Sequence, residues 1–224
     1  MNKLAHVAFI MDGNGRWGLK KKKSRNYGHL EGVKTVQKIV EASINFKVPV
    51  ISFYVFSSEN WKRPKSEINY LFNLIKIYFK KEIHNIIKNK IRINISGRTG
   101  MLPPQIRQDL KGAVQKTKKN KKLTINLAIN YGSKNEIVDA IKKLNFKGKK
   151  INEKNINENL YSDLPHPDIL VRTGGQKRLS NFMLWQLAYT EIFFVDKLWP
   201  DFSKNDLKKI IIKFNKIKRN FGSI

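Results

Sequence analysis

The chain has 224 residues, 41% of them hydrophobic, which suffices for one buried α/β core and predicts a single domain spanning 1–224. Lysine and arginine total 45 against 17 acidic residues, and this net charge of +28 favours anionic partners: nucleic acid, an anionic membrane surface or phosphorylated substrates. The absence of cysteine excludes disulfides, thiolate nucleophiles and cysteine-ligated zinc, and it fits a reducing cytoplasm.

The opening segment, MNKLAHVAFIMDGNGRW, has only a short apolar run, so we expect no export signal. Elsewhere no stretch approaches the roughly 18 apolar residues of a membrane span, so any membrane contact should be peripheral. Lysine, asparagine and isoleucine are abundant together, a bias that AT-rich coding also produces, and most of the lysines are expected on solvated faces.

Short runs of β-branched and aromatic residues predict six strands, at Val7–Met11, Val50–Phe56, Ile91–Ser96, Leu123–Asn130, Ile169–Arg172 and Glu191–Val195. Helical spacing predicts helices at His29–Asn45, from Pro64 through Ile83, and at Pro103–Thr117, Lys134–Leu144, Asn152–Leu160 and Ser203–Lys218. Because parallel neighbours need a crossover connection, this alternation predicts an α/β fold with a mostly parallel central sheet of about six strands between helices. Ligands of such sheets bind beyond the carboxyl ends of the strands.

The first predicted strand leads into Asp12, followed by Gly13, Asn14, Gly15, Arg16 and Trp17. Glycines let backbone N–H groups close around an anion, Arg16 adds a positive fork, and Asp12 is suited to hold a divalent cation. Phosphate with metal is therefore the natural ligand, although a tight turn that needs glycine for its backbone angles explains the motif equally well.

Arg25 and His29 follow, with His29 placed at the predicted start of the next helix, where the helix dipole attracts negative charge. His29 is a candidate proton relay, and a structural histidine is the alternative. The run Lys20–Lys23 is expected to be a solvated loop.

The second strand ends in a polar group of side chains, Ser57, Ser58, Glu59, Asn60, Trp61, Lys62 and Arg63. So many hydrogen-bonding groups are costly to bury unless they pair with one another or bind a ligand. A helix cap beside a packed tryptophan is the alternative.

A second anion site is predicted after the fifth strand, where Arg172, Arg178 and Ser180 flank the flexible Gly174–Gly175 pair. Glu191 opens the last strand among bulky apolar residues. Because a buried carboxylate needs a partner, a cation shared with Asp12 and a salt bridge to an arginine are both open readings.

Taken together, HVAFIMDGNGRW, NYGH, FSSENWKRP, DILVRTGG, RLSNFMLWQLAYTE and LWPDF resemble the cis-prenyltransferases, specifically the bacterial undecaprenyl diphosphate synthases. The resemblance spans nearly the whole chain. It implies a homodimeric enzyme that condenses isopentenyl diphosphate units in cis onto an allylic diphosphate, with farnesyl diphosphate as the expected starter. The expected product is a long polyprenyl diphosphate such as undecaprenyl diphosphate, a lipid-carrier precursor for the cell wall. It also implies Mg²⁺ as cofactor, a hydrophobic tunnel for the product, and a cytoplasmic enzyme with peripheral contact at the inner face of the membrane.

The resemblance also implies roles for individual residues. Catalytic roles fall to Asp12, His29 and Asn60, and the metal ligands would be Asp12 and Glu191, with Glu191 acting from the neighbourhood of a partner subunit. Substrate-binding roles fall to Gly13, Asn14, Gly15, Arg16, Trp17, Arg25, His29, Ser57, Ser58, Glu59, Trp61, Arg63, Arg172, Arg178 and Ser180. The apolar helix faces within 34–46 and 68–83 would line the tunnel, although by periodicity alone they are ordinary core.

Three positions depart from the family pattern. Gln176 stands where an acid commonly follows RTGG, Arg98 where many relatives have Asp, and Asn220 where a second arginine is frequent near the end. These departures put in doubt a contact made by that acid and a contribution of the tail to a neighbouring subunit's site.

Two other readings remain open at this stage. A basic nucleic-acid-binding domain would explain the charge, but no recognisable RRM, KH, helix-turn-helix or zinc signature accompanies it, and no nucleic-acid partner is expected. A catalytically silent relative that serves as a partner subunit is the other reading, and the intact blocks at 12–16 and 172–180 argue against it.

Overall fold

The structure is a computed structural model that describes residues 2–220, and its centre is one six-stranded sheet in which every neighbouring pair is parallel. The strands are β1 (His6–Ile10), β2 (Val50–Ser57), β3 (Ile91–Ser96), β4 (Leu123–Tyr131), β5 (Ile169–Arg172) and β6 (Glu191–Phe194). Their order across the sheet is β3-β4-β2-β1-β5-β6. The predicted single-domain α/β class and its strands are confirmed, and no strand bound differs from its prediction by more than one residue.

Seven helices flank the sheet within the described residues: α1 (Asn14–Lys20), α2 (Arg25–Asn45), α3 (Lys65–Lys88), α4 (Pro104–Thr117), α5 (Ser133–Phe146), α6 (Glu153–Asn159) and α7 (Lys204–Asn215). Short 3-10 turns cover Ser58–Lys62, Thr99–Met101 and Trp199–Asp201. The sequence did not predict α1, because seven residues with three glycines nearby carry no apolar periodicity. The lysine run that was expected to be a loop begins as the last residue of α1 and continues as an exposed turn.

The start of α2 corrects one prediction. The helix begins at Arg25 rather than His29, because the Ser24 hydroxyl caps it by accepting a hydrogen bond from the Tyr27 N–H at 3.1 Å. His29 therefore lies in the second turn, where the backbone N–H groups are engaged within the helix and attract no anion.

Alternate side chains of the strands face two different cores. Val7 and Phe9 of β1 enter the larger core with residues of α2, α3, α4 and α7, whereas Ala8 enters a smaller core around Phe182. In the larger core Phe9 stacks on Phe53 with ring centroids 5.3 Å apart, and Trp199 meets it edge-on at 5.8 Å. The larger core thus covers the face on which the predicted tunnel helices lie.

A buried polar chain crosses the sheet on its other face. His6 Nε2 lies 2.7 Å from Ser52 Oγ, which also accepts a hydrogen bond from Asn126 Nδ2 at 3.0 Å. Asn94 and Ser96 then both donate to Asn126 Oδ1 at 2.9 Å. Because His6 is fully buried, its pKa falls from 6.5 to about 4, so the ring is neutral at physiological pH.

The strand order gathers the predicted site. β2, β1 and β5 are neighbours, and the carboxyl ends of parallel strands share one edge of the sheet. Ser57 at the end of β2, Asp12 just beyond β1 and Arg172 at the end of β5 therefore meet at that edge.

No helix among residues 2–220 is both long and apolar enough to cross a membrane.

Candidate active site

Asp12 is held at the edge of the sheet by its backbone and by two arginines. Its carbonyl oxygen accepts from the Trp199 N–H at 3.0 Å and from Thr173 Oγ1 at 2.8 Å. Its carboxylate accepts from Arg16 Nη2 at 3.1 Å and from Arg172 Nη2 at 2.8 Å. The carboxylate is partly exposed and lines a polar cavity, so it is positioned before any ligand arrives.

Arg172 connects the tips of β1 and β5 to the segment that follows β5. Its side chain is only 3% exposed, and besides Asp12 it donates to Ser180 Oγ at 2.8 Å and to the Arg178 carbonyl oxygen. Its Nε atom has no hydrogen-bond partner among residues 2–220. Ser180 and its neighbour Asn181 adopt positive φ angles of 49° and 62°, a backbone strain typical of functional segments.

The start of α1 forms a close backbone surface beside Asp12. Gly13 has a φ of 106°, and a side chain there would come within 2.7 Å of Leu198. The Arg25 guanidinium lies so close to Gly15 that a Cβ on that glycine would sit 2.7 Å from its central carbon. The first N–H groups of a helix have no partner within the helix, so they and Arg25 form a positive surface suited to an anion.

Glu67, in the first turn of α3, organises three of the predicted site residues. Its carboxylate accepts from Arg25 Nε at 3.2 Å and from Arg63 Nη1 at 3.1 Å, and it lies 3.4 Å from His29 Nε2. Burial raises the pKa of Glu67, but the two arginines and His29 outweigh that effect and leave the pKa below its usual value. Sequence reasoning missed this residue, whose only signal is an acid in a first helical turn after a basic stretch.

His29 contributes to the wall of the polar cavity, and its Nε2 atom is buried 3.4 Å from the Glu67 carboxylate. Burial lowers the pKa of His29, and the attraction of Glu67 only partly opposes the shift. Nε2 makes no well-aligned hydrogen bond to any residue that the structure describes. A neutral imidazole beside a carboxylate at the wall of a cavity is able to accept a proton.

The end of β2 supplies further polar groups to the same cavity. The Ser57 N–H donates to Asn60 Oδ1 at 3.1 Å, which fixes the 3-10 turn. Glu59 accepts from Asn181 Nδ2 at 2.8 Å, so the turn is tied to the strained segment after β5. Asn181 was not predicted as a site residue, and only the three-dimensional contact identifies it.

Seven predicted substrate-binding residues do not line the polar cavity. Four of them belong to the group around Asp12 and Glu67, namely Gly13, Gly15, Arg16 and Arg25. The side chains of the other three make contacts elsewhere. Trp17 stacks on Tyr27 with ring centroids 5.9 Å apart and donates to Asp201 at 2.7 Å, away from Asp12. Trp61 packs on Phe72 and donates to the Asn130 side chain at 2.8 Å, as the packed-tryptophan alternative described. Ser58 faces Gly132 instead, because a Cβ on that glycine would meet its Oγ at 2.5 Å.

Glu191 lies at the amino-terminal end of β6, whereas Asp12 follows the carboxyl-terminal end of β1. It pairs with Ile169, which in turn pairs with Val7, five residues before Asp12. At about 3.3 Å per residue, this register separates the two acids by roughly 16 Å along the strands. A cation shared within one chain is therefore excluded, and Glu191 instead lies 4.0 Å from Arg219 Nε. No cluster of three or more metal-binding side chains exists within residues 2–220.

Two adjoining cavities, one polar and one apolar, occupy this region. The polar cavity has a volume of about 600 Å³ and is lined by Asp12, Asn14, His29, Ser57, Glu59, Asn60, Arg63, Arg172, Arg178, Ser180 and Asn181, with apolar neighbours. The apolar cavity, of about 130 Å³, lies between α2, α3 and the sheet, and Val33, Val36, Phe53, Ile75 and Tyr78 are among its lining residues. Met11, Asn14, His29, Val55 and Leu71 line both, so the polar chamber leads directly into the apolar one.

The three departures from the family pattern have individual contacts. Gln176 accepts a hydrogen bond from Arg178 Nη1 at 2.6 Å, so the amide holds an arginine of the cavity. Arg98 forms a two-pronged pair with Asp139 at 2.7 and 2.8 Å, remote from Asp12. Asn220 is exposed at the last described position.

Comparison with known proteins agrees with this geometry. A family model described as "Putative undecaprenyl diphosphate synthase" matches residues 10–222. An isoprenyl transferase of Fusobacterium nucleatum is 44% identical over 220 residues, covering 98% of this chain and 96% of its own. An isoprenyl transferase of Rickettsia bellii is 43% identical over 224 residues, covering 99% of both chains.

Solved structures share the fold over the same length. A crystal structure described as a probable undecaprenyl diphosphate synthase from Campylobacter jejuni superposes with a TM-score of 0.87 at 38% identity, covering 100% of both chains. Lavandulyl diphosphate synthase from Lavandula x intermedia, solved with dimethylallyl diphosphate, gives a TM-score of 0.93 at 29% identity over 97% of this chain and 98% of its own. The chain therefore belongs to the undecaprenyl diphosphate synthase-like isoprenyl transferases, a family of enzymes that elongate prenyl chains.

Proposed function

We propose that this enzyme condenses isopentenyl diphosphate units in cis onto an allylic diphosphate, such as farnesyl diphosphate, to give a long polyprenyl diphosphate. An undecaprenyl-type lipid-carrier precursor for the cell wall is the expected product. The observation that carries the proposal is the arginine-lined polar cavity opening into an apolar one. These two cavities fit a substrate with a diphosphate head and a hydrocarbon tail. A nucleic acid has no hydrocarbon segment that would fill the apolar cavity.

The two diphosphates bind at different sides of Asp12. The allylic diphosphate lies on the first turn of α1, held by the N–H groups of 13–16, Arg16 and Arg25. Isopentenyl diphosphate lies against Arg172, Arg178 and Ser180. Support comes from Arg172 and Arg178 in the lining of the polar cavity and from the close approach of the Arg25 guanidinium to Gly15 in the first turn of α1.

Asp12 suits a magnesium ion that arrives with diphosphate. Mg²⁺ keeps several waters and commonly binds one or two carboxylates together with substrate phosphates. A single, partly exposed carboxylate at the wall of a cationic cavity matches that donor set, whereas a resident ion held only by protein would need more ligands than residues 2–220 offer there. When bound, the ion supplies positive charge to the departing diphosphate.

The protein's own groups serve each part of the condensation. As the carbon–oxygen bond of the allylic diphosphate breaks, negative charge grows on the leaving group, and Arg16, Arg25 and the helix N–H groups stabilise it. A carbon–carbon bond forms to the isopentenyl double bond and one proton is lost. His29, a neutral imidazole at the cavity wall beside Glu67, accepts or relays that proton, with Ser57 and Asn60 orienting the substrate. The apolar cavity excludes water from the growing chain.

The enzyme acts as a homodimer through the edge of the sheet at β6. On this edge strand Ile192 and Phe194 are each 39% exposed, and Tyr189 nearby is 66% exposed. An exposed apolar edge strand invites pairing or aggregation unless it is covered. A second copy on this edge would cover the exposed apolar side chains, and it would bring Glu191 of one subunit towards the other. Sedimentation of Ile192→Lys should show a shift towards monomer.

The decisive assay follows labelled isopentenyl diphosphate into extended products of farnesyl diphosphate, with and without a chelator, and sizes the products. Asp12→Ala should lose nearly all turnover while keeping its unfolding transition, whereas Asp163→Ala, an exposed acid away from the cavity, should keep wild-type turnover. Wild-type turnover in Asp12→Ala would refute the metal assignment. A folded wild-type enzyme that binds both diphosphates and transfers none would identify a silent partner subunit.

A further inference from the structure

A surface patch at the junction of α1 and α2 combines exposed apolar side chains with four consecutive lysines. We call it the junction patch and define it as Leu19, Lys20–Lys23, Tyr27 and Leu30. Leu19 is 56% exposed, Tyr27 37% and Leu30 38%, and all four lysines are exposed. The mechanism uses none of these side chains, and no hydrogen bond or ion pair between the four lysines and an acid occurs among the described residues.

Specific contacts make this patch one continuous surface. α1 and α2 approach through glycines, since a Cβ on Gly18 would lie 2.2 Å from the Ser24 carbonyl oxygen. Trp17 then stacks on Tyr27, and Lys21 Nζ lies 5.6 Å from the centre of the Trp17 ring. Leu30 follows Tyr27 by three residues, so both project from one side of α2. The aromatic pair is anchored to Asp201 and provides a rigid base for the leucines and lysines.

The chemistry of the patch fits an anionic bilayer. Exposed leucines and an aromatic ring enter the boundary between headgroups and acyl chains, while adjacent lysines contact anionic lipid headgroups, each strengthening binding by about fivefold. A nucleic acid would be attracted by the lysines but would gain nothing from Leu19 and Leu30. We infer that the junction patch docks the enzyme on an anionic membrane surface.

The position of the patch relative to the active site gives this docking a purpose. α1 begins at the wall of the polar cavity with Asn14 and ends in the patch with Lys20, so about 10 Å of helix joins the two. Docking through the patch would therefore hold the cavity close to the bilayer that receives an amphiphilic product. This purpose rests on the proposed function, but the docking itself is measurable without substrate, so the two can fail separately.

The test compares two lysine clusters of equal size in the full-length protein. One variant replaces Lys20–Lys23 with serine. The matched control replaces Lys147, Lys149, Lys150 and Lys154, which are also exposed and lie near Phe146, an apolar side chain that is 94% exposed. A third variant, Leu19→Ser with Leu30→Ser, keeps every charge. Binding is measured by co-sedimentation with vesicles of phosphatidylcholine, alone or mixed with phosphatidylglycerol, and folding is checked by circular dichroism.

We expect wild-type protein to bind only the anionic vesicles. The Lys20–Lys23 variant should lose at least about 100-fold in partitioning, the control less than about fivefold, and the leucine variant about tenfold. Equal losses in both lysine variants would mean that total charge alone drives binding and would overturn the inference. A larger loss in the control would assign docking to the lysines at 147–154 and would also overturn the inference. Unchanged binding of the leucine variant would indicate a purely electrostatic contact, which would overturn the inference as well.

Discussion

Replacing Arg172 with lysine tests whether its fork geometry, and not only its charge, organises the active site. The guanidinium donates to Asp12, to Ser180 and to the Arg178 carbonyl oxygen, whereas one ammonium group on a flexible stem keeps the Asp12 contact and loses the other two. A hydrogen bond from a charged donor contributes about 1.5–3 kcal/mol. Two such hydrogen bonds are lost, and water at the cavity wall replaces part of them, so the net cost of the substitution is about 2–3 kcal/mol.

Because Ser180 and Arg178 are proposed to bind isopentenyl diphosphate, the loss should fall on that substrate. We expect kcat/KM for isopentenyl diphosphate to fall about 100-fold in Arg172→Lys, which corresponds to about 2.7 kcal/mol. The KM for the allylic diphosphate should change less than about threefold, as initial rates with each substrate varied in turn will show. Arg107→Lys is the control, since this exposed arginine of α4 lines neither cavity and should keep the wild-type kcat/KM. Equal activity of wild type and Arg172→Lys would refute the argument.

Three further predictions concern stability and product. The buried His6 has a pKa of about 4 in the folded protein and about 6.5 in the unfolded chain, so the unfolded chain binds a proton first as the pH falls. The free energy of unfolding, measured by urea titration, should therefore drop by about 2.5 kcal/mol between pH 7 and 4.5. His6→Gln should lack this pH-dependent component. Gly28→Ala should destabilise the protein by at least about 2 kcal/mol, since its Cβ would lie 1.8 Å from the Asn14 carbonyl oxygen. Gly112→Ala, in open space on α4, should stabilise the protein by about 0.5–1 kcal/mol. Equal effects of the two substitutions in thermal melts would contradict this prediction. Ile75→Phe should shorten the polyprenyl products by filling the apolar cavity, while Ile77→Phe on the exposed side of α3 should leave product length unchanged in chromatographic sizing.

The sequence predicted the sheet well because its strands are short apolar runs with clear polar ends. Val50–Ser57 and Ile91–Ser96 match their predicted bounds within one residue. Parallel topology then follows from the alternation with helices, and the shared carboxyl edge follows from parallel topology. The proximity of Asp12 and Arg172 can thus be predicted from the sequence alone, since both residues lie at strand ends.

Features that depend on side-chain direction could not be predicted in the same way. Trp17 and Trp61 stand within the predicted motifs, but packing against Tyr27 and Phe72 turns them away from the cavity. The start of α2 was placed four residues late, because a serine cap carries no apolar signal. Glu67 was missed since its role arises from contacts with residues 38 and 42 positions away, which no local pattern encodes.

The carboxylates of Asp12 and Glu67 keep like charges together in the empty enzyme. Without them, Arg16 and Arg172 on one side, and Arg25 and Arg63 on the other, would repel each other and spread into solvent. Under the proposed function, a diphosphate would find these four arginines already assembled and would replace the carboxylates as their anionic partner. The free energy needed to gather four guanidinium groups is thereby supplied during folding, so that capture of each new isoprenoid unit is not slowed by reorganisation of the protein.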